Sequence, residues 1–142
     1  MQEAFEIKGI FWHNEDSEIT HDHPDKVESV IDQILVDHSF QLGCINIVLC
    51  SDDYLLQMNK EYLDHDYYTD IITFPIQNDP LTADLFISVD RVQDNAEKND
   101  VLFNEELSRV IFHGVLHLVG YGDKAEEDIK EMREKENFYL LK

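Results

Sequence analysis

Between residues 104 and 122 the apolar side chains Leu107, Val110, Ile111, Val115 and Leu118 keep the period of an α-helix, and Gly120 and Gly122 stop the run. Asn104 is placed to cap that helix, with Glu105 and Glu106 in the first turn, where the helix dipole favours negative charge. Two histidines, His113 and His117, stand on it four residues apart. Both imidazoles therefore project from one face, one turn apart, where a single ion can accept a nitrogen from each. Zinc takes neutral imidazole readily, and a catalytic zinc keeps three protein ligands and one open position. The third ligand is expected just beyond the helix, where the chain can turn back. His117-Leu118-Val119-Gly120-Tyr121-Gly122-Asp123 completes a His-x3-His-x2-Gly-x2-Asp pattern, with Gly120 free to reverse the backbone and Asp123 to supply an oxygen. The expected ligands of one zinc ion are His113, His117 and Asp123. Gly114 occupies the place of the glutamate in His-Glu-x-x-His metalloproteases, so that peptide-cleaving machinery is absent.

The rest of the chain predicts the scaffold. Residues 3–11 can open as a strand, and Asp22-His23-Pro24 can start a helix that buries Val27, Val30, Ile31, Ile34 and Leu35. Residues 43–50 read as a second strand. Ser51-Asp52-Asp53 can cap a helix whose inner side includes Leu55, Leu56, Met58, Asn59 and Tyr62. Two strands follow, Asp70 to Phe74, ended by Pro75, and Ala83 to Val89. A short helix runs from Asp90 through Ala96, and a last one begins at Glu126-Glu127-Asp128 and includes Ile129 and Met132. This order predicts a single α/β domain over residues 1–142, a mixed four-stranded sheet packed against about five helices.

Charge and cysteines narrow the function. The formal net charge is −20, and the 11 lysines and arginines are scattered. Duplex nucleic acid is held largely by cations on phosphates, so RNA has to be met at a local positive spot, whereas a basic protein partner suits the overall charge. Strand geometry would separate Cys44 and Cys50 by ~20 Å, which excludes a disulfide between them. No apolar run of 18 residues exists and the N-terminus lacks a secretion signal, so a cytoplasmic location and no membrane span are expected.

Secondary candidates are weaker. His13, His21 and His23, among Glu15, Asp16, Glu18, Asp22 and Asp25, could form a second metal site or a solvated loop. His65 reads as a loop residue near the cleft. Asp70 could orient an imidazole or cap its strand, and Asp84 could line the cleft or face outward. Arg109 could reach a phosphate or pair with Glu105 or Glu106. The charged stretch 124–136 reads most simply as a solvated helix face.

The nine residues His113-Gly114-Val115-Leu116-His117-Leu118-Val119-Gly120-Tyr121 resemble the mark of the YbeY family, His-Gly-x-Leu-His-Leu-x-Gly-Tyr-Asp-His. Met58-Asn59, Tyr62 and Thr69-Asp70-Ile71-Ile72-Thr73-Phe74-Pro75 are similar to the family's preceding segment, and Ala83-Asp84-Leu85-Phe86-Ile87-Ser88 to its Gly-Asp-Ile-x-Ile-Ser strand. The resemblance implies one zinc bound by three side chains in a cleft. It also implies an endoribonuclease-like role in small-subunit (16S) ribosomal-RNA maturation and ribosome quality control, with a metal-activated water as nucleophile. Two positions depart. The family's third histidine falls at Asp123 and its aspartate at Gly122, unless one residue is inserted, in which case Lys124 takes the ligand place. Leu63 stands where the family usually has an arginine that could hold a phosphate. The alternative is a non-catalytic, zinc-containing ribosome assembly factor that docks a basic ribosomal protein.

Overall fold

The computed structural model describes residues 7–142 and orders its elements as β1 (Gly9–Asn14), α1 (Pro24–Asp37), β2 (Leu42–Cys50), α2 (Asp52–Leu63), β3 (Ile71–Asn78), β4 (Leu81–Ser88), α3 (Val89–Asn99), α4 (Phe103–Leu118) and α5 (Glu126–Leu140). The sheet order is β1-β2-β4-β3, with β1 and β4 parallel to β2, and β3 antiparallel to β4. This is the mixed four-stranded α/β architecture expected from the sequence.

Strand periodicity builds the main core. Ile45, Ile47 and Leu49 of β2 alternate onto one face with Ala83, Leu85 and Ile87 of β4. All of these but Ala83 are buried in one cluster with Ile31, Ile34 and Leu35 of α1 and Leu107, Ile111 and Val115 of α4. Each fully buried Leu or Ile side chain contributes about 1.5–3 kcal/mol, so this layer dominates the stability. A smaller cluster of Cys50, Leu55 and Ile72 gathers around α2, with Phe74 and Phe86 packed against it. Both cysteines are free.

Several boundaries differ from expectation. β1 starts at Gly9 and reaches Asn14, and the part of the expected strand before residue 7 lies outside the described residues. β3 continues through Pro75 to Asn78 because it is an edge strand with a register shift between Pro75 and Gln77, where a missing N–H does little harm. Asn104 does not cap α4. The helix starts at Phe103, with Leu102 as N-cap and no side-chain cap, and Asn104 instead donates Nδ2–H to Asp22 (2.7 Å), tethering the segment before α1. On α2 only Leu55 and Asn59 are buried, while Tyr62 is 66% exposed. Among the described residues no helix is long and apolar enough to cross a membrane.

Candidate metal centre

Helix α4 is wedged against the sheet through Gly114, where an added Cβ would lie 2.7 Å from Ile71 Cδ1 and 3.3 Å from Thr73 Cγ2. With position 114 turned to the sheet, His113 and His117 are left half-buried on the adjoining face. After Leu118 the chain reverses at Gly120, whose φ of +120° lies in the region that favours glycine. Tyr121 N–H then bonds back to the Leu116 carbonyl (3.0 Å). His38 pins the turn: its Nδ1–H donates to the Ile34 carbonyl (2.7 Å), so its Nε2 accepts from the Tyr121 hydroxyl (2.8 Å). Asp123 is thereby carried back over the helix end.

The result is a tight donor cluster. His117 Nε2 lies 3.0 Å from His113 Nε2 and 3.0 Å from Asp123 Oδ2, and His113 Nε2 lies 3.7 Å from the same oxygen. Among the described residues this is the one set of three histidine, cysteine, aspartate or glutamate side chains close enough to share an ion. The outer ring nitrogens define the tautomers. His117 Nδ1 faces the Tyr121 carbonyl (2.8 Å) and His113 Nδ1 faces Glu136 Oε2 (2.7 Å). Both partners only accept, so each Nδ1 carries the proton and each Nε2 turns a lone pair inward. Two lone pairs and a carboxylate oxygen that converge in this way repel unless a cation sits between them. A tetrahedral ion with bonds of about 2.0–2.1 Å sets its ligands roughly 3.3 Å apart, and the three distances here bracket that value. The residues fit a single divalent ion.

Glu136 is the residue of this cluster that the sequence did not reveal. It is 4% exposed, not part of a solvated face, and its second oxygen accepts from Arg109 Nη1 (2.9 Å). Arg109 also donates to Asn137 (2.9 Å), so its partners are on α5 and not Glu105 or Glu106. The available signal was spacing: Met132, Glu136 and Tyr139 form the buried stripe of α5. Burial alone would push the His113 imidazole down, but the Glu136 hydrogen bond and the fields of Glu136, Asp70 and Asp123 raise its pKa above the ordinary value. Burial also favours the protonated form of Glu136, yet the bonds from His113 and Arg109 outweigh it and hold that carboxyl below its usual range. Any metal ion taken up at His113 Nε2 would therefore compete with a proton.

The remaining candidates separate. Asp70 lines the cavity beside His113 and is raised by burial. His65 shares a hydrogen bond with the Tyr67 hydroxyl in the loop after α2. Asp84 accepts from Asn46 on the opposite face of the sheet, away from His113. Leu63 lines a shallow recess with Asn59, His65, Tyr67 and Ile71, not the cavity at His113. The N-terminal histidines do not assemble: His13 bonds Asn46, and buried His21 bonds the Asn104 carbonyl and Ser108.

A family model described as Endoribonuclease YbeY matches residues 10–142. The chain belongs to the YbeY family. Relatives named Endoribonuclease YbeY include one from Cytophaga hutchinsonii, 42% identical over 133 residues (92% of this chain, 93% of the relative), and one from Azobacteroides pseudotrichonymphae, 50% identical over 113 residues (79% and 81%). A solution structure from Thermotoga maritima shares the fold, with a TM-score of 0.64 at 27% identity over 92% of this chain and 86% of that one. Membership makes this YbeY-family chain a hydrolase of the endoribonuclease class, and the half-buried histidine pair lies within the matched residues.

Proposed function

We propose that the chain is a zinc-dependent endoribonuclease that cuts RNA phosphodiesters during small-subunit ribosomal-RNA maturation in the cytoplasm, with His113, His117 and Asp123 as the metal ligands. The observation that carries this reading is the inward convergence of the two Nε2 lone pairs on the Asp123 oxygen. An ion bound there supplies Lewis acidity, polarising a phosphoryl oxygen and lowering the pKa of a water. The chain's own groups do the positioning. Glu136 and the Tyr121 carbonyl hold the protons on Nδ1, which fixes both rings and keeps their inner nitrogens basic. Arg109 neutralises Glu136 and prevents it from taking the proton outright.

Elemental analysis of purified protein, paired with an RNA cleavage assay, tests the reading. One equivalent of zinc and metal-dependent cleavage are expected, and both should vanish in His117→Ala. Cleavage that persists in that variant belongs to a contaminant and removes the support. The net charge of −20 favours a second role, docking a basic ribosomal protein. That role predicts a salt-sensitive complex that survives His117→Ala.

A further inference from the structure

A cavity of about 240 Å³ opens beside His113, and its lining includes Asp70, Asn95, Arg109, Asp123 and Arg133. The two arginines in it are in different states. Arg109 is mostly buried and fully committed, with one nitrogen on Glu136 and another on Asn137. Arg133 is 61% exposed, and its nearest acid is Glu136 at 3.7 Å, beyond a hydrogen bond. Both Glu136 oxygens are already occupied, one by His113 and one by Arg109. Arg133 makes no hydrogen bond among the described residues, and it lines the cavity that His113 and Asp123 also line. A guanidinium in that state is suited to a tetrahedral oxyanion, which it can engage with two parallel N–H bonds.

With a divalent ion in place, the surrounding charge does not exclude an anionic occupant. Most of this chain repels phosphate, with a net charge of −20. In this cavity Arg109, Arg133 and a divalent ion would together offset the carboxylates of Asp70, Glu106, Asp123 and Glu136. Leu63 brings no charge and opens on a separate recess.

We propose that Arg133 is the phosphate-binding residue of the RNA site, gripping a backbone phosphate beside the metal from the α5 side. This inference rests on the endoribonuclease reading for its substrate but not for its test. Two measurements are paired on metal-loaded wild type, Arg133→Ala, Arg133→Lys and Arg133→Glu. One is the affinity for uridine 5′-monophosphate by calorimetry. The other is KM and kcat on a short single-stranded RNA, with zinc content and Tm measured for every protein.

Arg133→Ala should weaken nucleotide binding and raise KM by about tenfold, the worth of one charge-assisted contact, with kcat, zinc and Tm little changed. Lys should recover part of the loss, Glu should deepen it, and the salt dependence of RNA binding should become shallower by about one phosphate contact. If wild type cleaves RNA but Arg133→Ala keeps the same KM and nucleotide affinity, the inference is wrong and the enzyme reading stands. If RNA is not cut but nucleotide affinity depends on Arg133, the inference stands and the enzyme reading fails. A wild type that neither binds the nucleotide nor cuts RNA overturns both.

Discussion

Gly114 fills the position that carries the general base in zinc proteases, and its surroundings explain why no base could work there. The residue faces Ile71 and Thr73 of β3, so a longer side chain would be driven into the sheet and away from the proposed metal ligands. Gly114→Glu is expected to cost more than about 3 kcal/mol through overpacking and an unpaired buried charge, seen as loss of cooperative unfolding, with no gain of peptidase activity. Asp123→Ala should release the ion, while Lys124→Ala should retain it, and elemental analysis separates the two. Glu136→Gln should leave the fold intact and weaken metal affinity about 10- to 100-fold by competition titration, because His113 loses the anion that orients it. The histidines and Asp123 could be read in the sequence because they lie within one turn and a loop. Glu136 could not, since its partners sit 23 and 27 residues away and its neighbours in sequence are mostly charged.

At the level of elements, α5 is what braces the α4 site. Its buried stripe is short, and Met132 is its apolar anchor, 2% exposed, whereas Ile129 on the same helix is largely in solvent. Met132→Ala should cost about 2–5 kcal/mol in denaturant unfolding and weaken ion retention as well, while Ile129→Ala should change neither. The element order was legible throughout because strand and helix periods are distinct. The boundaries were not, and the reason is tertiary in each case. Pro75 is tolerated because β3 has no outer neighbour, and the side chain of Asn104 is drawn away from α4 by Asp22.

Across the whole molecule, the excess of acids makes stability sensitive to ions. Added sodium chloride should raise Tm by a few degrees as self-repulsion is screened, whereas a protein held together by surface pairs would lose stability. One contact also makes stability depend on pH. The Tyr139 hydroxyl of α5 donates to Asp37 at the end of α1 (2.6 Å), and this bond, helped by Gln33, lowers the carboxyl's pKa. A lowered carboxyl contributes stability above its unfolded pKa and loses it as pH falls through the folded value. Acid titration followed by Tm should therefore show a steeper decline for wild type than for Tyr139→Phe, in which the bond is missing.

The edge strand β3 has a consequence for how copies of this chain meet. A sheet margin with an unbroken row of N–H and C=O groups is a template on which another chain can add a strand and continue into fibrils. Here Pro75 removes a donor from that row, and the register shift after it bends the remainder out of line. This margin is thus a poor seed for polymerisation, and growth through it should stay slight at high concentration even where salt has screened the mutual repulsion. Pro75→Val would restore a continuous template, and light scattering should then show slow growth of large particles under those same conditions.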